Sequence, residues 1–296
     1  MTADSYLLPL LNRIGWSIPL FVAAFGAVWL AKMLYQWTEG FDFAHELTEK
    51  DNPAFGAALA GYLIGVTIAI VGAFPSQFTT NAQVLLSALG VLAGQGLIAA
   101  LLMRTSVWLI GRFVLYKFGV DDEMIRDRNV GAGTVMAGGC IAAGLVLHGA
   151  LSGESDSAWH AVRDLLVFWA AGQVILIGGA WLFIHAVRFD VEKVIQENNV
   201  PAGFSLGGFL VAVGIIVNAA LSGASSDLGS ELLVTFGCSL LGLGLLVCSA
   251  IIGAWVFLPH SPVSKEIAVD KNPAAGLISA AAFIAAALLL ARVIAV

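Results

Sequence analysis

The chain has 296 residues, 59% of them hydrophobic and 11% charged, with a mean hydropathy of +0.91. Soluble domains carry roughly 25% charged residues, so a water-soluble globule is excluded. With 14 Lys+Arg against 20 Asp+Glu, a formal net charge of −6 and no basic stripe, nucleic-acid binding is excluded as well. The first residues, MTADSYLLPLLN, lack the basic region and small-residue cleavage site of a signal peptide, so the first span is expected to drive insertion itself. A bilayer core of about 30 Å needs roughly 20 apolar residues in helical form. Stretches of that length lie at about 15–35, 53–74, 82–103, 131–150, 162–186, 202–221, 232–258 and 274–295. They are continuously apolar rather than alternating, which disfavours a β-barrel. After the third stretch Arg104 and Arg112 interrupt a run reaching Tyr116, so residues 105–118 read either as an interfacial helix or as a continuation beyond the membrane. The expected fold class is an all-α membrane protein of about eight transmembrane helices, a first pair of hairpins in 1–150 and a second in 151–296.

Orientation follows from the placement of Lys and Arg. Loops one, three, five and seven, with their span ends, hold Lys32, Lys50, Arg104, Arg112, Lys117, Arg126, Arg128, Arg188, Lys193, Lys265 and Lys271, whereas the other side holds Arg13, Arg163 and Arg292. This predicts cytoplasmic odd loops and both termini in the periplasm. Trp37 and Trp159 fall near span boundaries and read as interfacial anchors.

Each odd loop ends alike: Asn52-Pro-Ala-Phe-Gly56, Asn129-Val-Gly-Ala-Gly133, Asn199-Val-Pro-Ala-Gly203 and Asn272-Pro-Ala-Ala-Gly276. A small residue follows four positions after each glycine (Ala60, Ala137, Gly207, Ala280), and a second small pair recurs at Gly61/Gly65, Gly138/Ala142, Gly208/Ala212 and Ala281/Ala285. The asparagines are spaced 77, 70 and 73 residues apart, which makes one helical hairpin used four times. Each unit has two spans, so every copy re-enters from the same side. The repeats are therefore parallel, related by an axis along the membrane normal.

Asn52, Asn129, Asn199 and Asn272 are expected to cap the even-numbered spans, since Asn is a preferred N-cap and Pro53 and Pro273 suit the first turn. The alternative is a ligand-facing role, because converging helix N-termini attract anions. Glu46, Glu123 and Glu266 lie six positions before the asparagine and Glu192 seven before. They read either as solvated loop residues or as a cytoplasmic acidic ring able to collect cations or a basic partner. Gly56, Gly61, Gly133, Gly138, Gly203, Gly208 and Gly276 are expected to let helix backbones approach closely in lipid. Gln95, Gln173, His148 and Asn218 are the chief polar groups within the spans, and the two glutamines are expected to bond to neighbouring helices. Cys140, Cys238 and Cys248 form no CxxC pair and read as small packing residues. The sequence has no HExxH, Walker loop, nucleophile elbow or clustered metal-ligand set, so neither catalytic residues, metal nor cofactor is expected.

With these residues the chain resembles the YjfL-like family of bacterial inner-membrane proteins, also termed domain of unknown function 350 (DUF350). Members look like two hairpins, each with an acidic stretch, then N-x-A-A and a glycine-rich helix, and this chain resembles two such proteins in tandem. Pro201 and Gly131 stand where the family usually has alanine, and Ala281 replaces a glycine. The resemblance implies an inner-membrane protein in a context of envelope stress. The expected function is a non-enzymatic, channel-like or ion-permeation module. The alternatives are a scaffold recruiting a cytosolic or membrane partner, and a small-molecule or lipid transporter. Membrane lipids and further copies of the chain are the expected partners.

Overall fold

In the computed structural model, residues 4–75, 79–153, 157–221, 228–257 and 262–294 are described, with side chains for those from 10 to 249 and from 262 onward. The long helices are α1 (Asp4–Thr38), α2 (Pro53–Gly72), α3 (Ala82–Phe113), α5 (Val130–Leu151), α6 (Ala158–Ala186), α8 (Val200–Leu221), α9 (Leu228–Phe257) and α11 (Pro273–Ile294). Short helices α4 (Val120–Ile125), α7 (Val191–Gln196) and α10 (Val263–Ala268) precede α5, α8 and α11, and a π-helical turn at His45–Glu49 precedes α2. No strand occurs among the described residues. All eight long helices are long and apolar enough to cross a bilayer.

The chain is built as two layers. Helices α2, α5, α8 and α11 pack side by side in that order, and these are the most extensive contacts in the molecule. The reason lies in the small residues. A Cβ added at Gly61 would collide with the backbone of Ala137, one at Gly138 with Gly207, and one at Gly208 with Ala280. Contacts also rise together along the α2–α5 pair: Gly133 meets Ala54 near one end, Gly61 meets Ala137 midway and Gly72 meets His148 near the other end. Neighbouring helices of the row are therefore parallel and in register. Lipid supplies no hydrophobic drive for helix association, so backbone-to-backbone dispersion over this length must supply it.

The other long helices form the second layer. Helix α3 lies against both α2 and α5, α6 against α5 and α8, and α9 against α8 and α11. Each thus fills the groove between two successive members of the glycine row. Gly139 meets Ile110 of α3, and Gly172 of α6 meets Val146, so these positions of α5 face the second layer. At the start of the chain α1 packs on α3 and α2, where the Tyr62 hydroxyl donates to the Ala31 carbonyl at 2.9 Å. An aromatic cluster of Tyr35, Phe41, Phe43, Phe55 and Tyr62 fills that corner.

Residues 105–113 continue α3 without a break, so the run past Arg104 is one helix and not a separate interfacial segment. Arg104 is held in place: its guanidinium is 3.0 Å from Glu39, bonds Thr38 Oγ1 at 2.5 Å and lies 5.5 Å from the centre of the Tyr35 ring. An arginine held this way costs little in a helix that ends at the membrane surface. The three cysteines are free thiols, Cys140 buried, Cys238 half-buried and Cys248 exposed.

Candidate functional site

Four turns lie together at one end of the glycine row, because the helices they open are parallel. Each asparagine caps its helix. Asn52 Oδ1 accepts from the Ala54 and Phe55 amides at 3.1 and 3.2 Å, Asn129 from Ala132 at 3.0 Å, Asn199 from Ala202 at 3.0 Å and Asn272 from Ala274 at 3.0 Å. The residue just before each cap has a left-handed backbone: Asp51 at φ 49°, Arg128 at 49°, Asn198 at 54° and Lys271 at 48°. The kink turns the chain from the short helix into the span. It costs a non-glycine residue about 1–2 kcal/mol, and less for Asn or Asp, whose side chains can bond locally. Nothing in the sequence announced these four positions, since none is glycine.

The amide nitrogen of each cap does further work. Asn52 Nδ2 donates to Glu46 Oε2 and to the Met124 carbonyl, both at 2.9 Å. Asn129 Nδ2 donates to Glu123 Oε2 at 2.8 Å and to the Ile195 carbonyl at 2.7 Å. Asn199 Nδ2 donates to the Ile267 carbonyl at 2.9 Å. Each of these carbonyls belongs to the short helix of the following unit, so one side chain caps its own span and ties two units together. Asn272 Nδ2 reaches Glu266 Oε2 at 3.0 Å, within its own unit.

Three of the four glutamates are withdrawn from water, Glu46 at 2% exposed, Glu123 at 8% and Glu192 at 1%, while Glu266 is half-buried. Glu46, Glu123 and Glu266 each also lend the backbone carbonyl to the following Asn N–H, at 2.9, 2.8 and 2.9 Å. Six positions of separation places both contacts correctly. In the third unit the spacing is seven, and the bond moves: Asn199 N–H goes to the Val194 carbonyl, while Glu192 turns to Lys117, whose Nζ is 2.9 Å from Oε2. Burial raises the pKa of Glu46, yet the hydrogen bonds from Asn52 and Lys50 outweigh it and hold the carboxyl below its ordinary value. Near the same end of the bundle Glu39 behaves oppositely. Burial, aided by the charge of Asp121 and opposed by Arg104, pushes it up to about 7.

The polar groups within the spans are not brought together as a set. His148 Nδ1 and Asn218 Oδ1 meet at 3.1 Å, joining α5 to α8 near the opposite end of the row. Gln95 sits half-buried on α3. Gln173 is buried on α6, and neither of its amide atoms has a hydrogen-bond partner among the described residues, so the expected interhelical bond is not made there. The glycines divide by neighbour. Gly133, Gly203 and Gly276 meet the carbonyls of Ala54, Gly131 and Pro201 in the preceding helix, whereas Gly61, Gly138 and Gly208 meet the following one. Gly56 alone of the set meets only Leu47 Cδ2, at 3.8 Å.

Eight apolar spans, a parallel in-register row of capped helices and a second layer in its grooves define a multi-pass α-helical membrane protein of tandem hairpins. The family described as Domain of Unknown Function (DUF350) matches residues 9–155 and again residues 156–294. The chain belongs to that family and carries its domain twice. It is similar to a UPF0719 transmembrane protein of Aquifex aeolicus (strain VF5), at 22% identity over 245 residues, covering 82% of this chain and 86% of the relative. No solved structure matches it at a significant level.

Proposed function

We propose that this protein is a non-enzymatic scaffold of the bacterial inner membrane, its four-turn end facing the cytoplasm and docking a cytosolic or membrane partner. The observation that carries this reading is the fate of the polar residues at the turns. The glutamates that would form an ion-gathering mouth are spent on bonds inside the wall, and the helices behind them pack backbone against backbone. The same end still offers solvent the charges of Glu49, Arg126, Asp127, Lys193, Lys265 and Asp270. A rigid platform studded with both signs of charge suits specific docking, since electrostatic complementarity fixes register and partner choice. Eleven of the 14 Lys and Arg lie on that side, which supports its cytoplasmic placement.

A permeation role is the second reading, and one observation favours it. On the side of α5 and α8 away from the second layer runs a partly covered stripe, Thr134, Ile141, Leu145 and His148 beside Val211, Ile215 and Asn218. Liposomes containing only the purified full chain separate the two. The scaffold reading expects vesicles tight to K+, Na+ and H+ under every gradient and voltage. It also expects Arg126→Glu with Lys193→Glu to release a co-purifying partner without lowering the melting temperature. Ion flux above that of empty vesicles, abolished by His148→Leu, would overturn it in favour of permeation.

A further inference from the structure

The row of helices repeats one junction three times and then stops. Numbering from the cap asparagine, the residue at position +9 of each helix meets the backbone of position +8 in the next: Gly61 on Ala137, Gly138 on Gly207, Gly208 on Ala280. Position +4 of the next helix meets the carbonyl of position +2: Gly133 on Ala54, Gly203 on Gly131, Gly276 on Pro201. The cap Nδ2 meets the next short helix: Asn52 on Met124, Asn129 on Ile195, Asn199 on Ile267. Helices α2 and α11, at the two ends, do not pack on each other. Each therefore keeps one half of the junction unused.

We propose that copies of this chain join head to tail in the membrane, α11 of one packing on α2 of the next through a fourth instance of this junction. This inference is independent of the scaffold reading. The register assigns every contact. Ala281 meets Ala60 of the next copy, the Ala274 carbonyl meets its Gly56, and Asn272 Nδ2 meets its Leu47 carbonyl, which stands five residues before Asn52 as Met124 stands before Asn129. The free faces have the required character. Ala274, Ala281 and Ala285 are exposed on α11, as are Ala60, Ile64 and Thr67 on α2.

Gly56 supplies the independent sign. A glycine inside a helix costs roughly 1 kcal/mol relative to alanine unless something must come close. In the other three units its counterpart abuts a neighbouring carbonyl; in this one the chain provides no neighbour, and a Cβ would find ordinary space. The missing neighbour is another copy of α11. Helix α1 agrees, since only 6% of its apolar core is buried: α3, α6 and α9 each lie in a groove between two row helices, and α1 has α2 on one side and no row helix on the other. Such a junction is heterologous, with successive copies related by rotation about the membrane normal, and it forms a ring when that rotation closes. The fourth junction is also the loosest, because Ala281 stands where the others have glycine and its methyl holds the helices apart.

Two measurements on the full chain test this. The mass of the protein in lipid nanodiscs is expected to be a multiple of 30.9 kDa. Gly56→Ala with Ala60→Leu, a methyl in ordinary contact at the first position and an exposed site at the second, is expected to leave one copy per disc with helicity and melting temperature unchanged. With Cys140, Cys238 and Cys248 replaced by alanine, Ala60→Cys with Ala281→Cys is expected to give an intermolecular disulfide ladder on oxidation, and either cysteine alone to give none beyond a dimer. Wild-type protein at one copy per disc, covered by lipid alone, would overturn the proposal. So would a leucine variant that stays assembled, or a cysteine pair that never cross-links between chains.

Discussion

The middle of the row and its ends are built from the same repeat but live in different surroundings. Helices α5 and α8 have row neighbours on both sides, and 72% and 78% of their apolar cores are buried; for α11 the share is 17%. The mean hydropathies of these cores are nearly alike, 1.9, 2.1 and 2.4, so composition does not set burial. Position in the row and cover by the second layer do: α2, also an end helix but packed by α1 and α3, is 56% buried. A helix with two like neighbours needs two small-residue faces, and α5 uses both: Gly133 toward α2, Gly138 and Ala142 toward α8. The same two faces persist at the ends, where only one is occupied within the chain.

The largest effect that could break this comparison is steric. Gly138→Leu forces a side chain into the Gly207 backbone and is expected to destabilise the fold by more than about 3 kcal/mol, whereas Ala281→Leu, on the outward face of α11, is expected to change it by less than about 1 kcal/mol. Thermal unfolding in detergent, followed by circular dichroism, reads both. Equal losses would mean that the middle and the ends do not differ.

A smaller contrast lies in the caps. Asn129→Ala removes a cap, a bond to the next unit and the partner of buried Glu123, with an expected loss of about 2–4 kcal/mol. Asn272→Ala removes the cap and the Glu266 bond alone, with about 1–2 kcal/mol lost in the single chain. The same melts compare them. The left-handed residues give the smallest effect with a fixed sign. Arg128→Gly is expected to raise stability by about 0.5–1 kcal/mol, because glycine adopts φ 49° without the Cβ penalty.

The corner formed by α1 and α3 is expected to respond to pH. Glu39 is raised from 4.5 to about 7 in the folded chain, so the folded state holds more protons than the unfolded one between those values. Stability is expected to fall as pH rises from 4.5 to 7, and Glu39→Gln to flatten that slope. Melting temperatures of both proteins across that range check the sign.

The sequence made the repeat, the caps and the paired small residues visible because each leaves a side-chain signature at fixed spacing. Other features leave none. The acceptors of Asn52, Asn129 and Asn199 are backbone carbonyls, which have no residue identity. The left-handed turn residues are Asp, Arg, Asn and Lys, held there by the cap and short helix around them rather than by their own preference. Burial of Glu46 and Glu123 was hidden too, since an acidic residue in a loop looks solvated until the asparagine six positions on is seen to bond it. The two stripes of small residues were legible as packing, and only the row explains why there are two. Arg104 marked a possible break in α3 because its partners, Glu39 and Tyr35, lie on another helix.

Sidedness tests the central claim most directly: four parallel hairpins whose turns share one end of the bundle. Single cysteines at Asp51, Asp127, Asn198 and Lys271, each in the background lacking native cysteines, would be labelled with a membrane-impermeant thiol reagent in sealed vesicles of known orientation. All four are expected to react from the same side, and a cysteine at Ser152, at the far end of α5, from the other. Even one turn reacting from the side of Ser152 would contradict the parallel repeat and the row built on it.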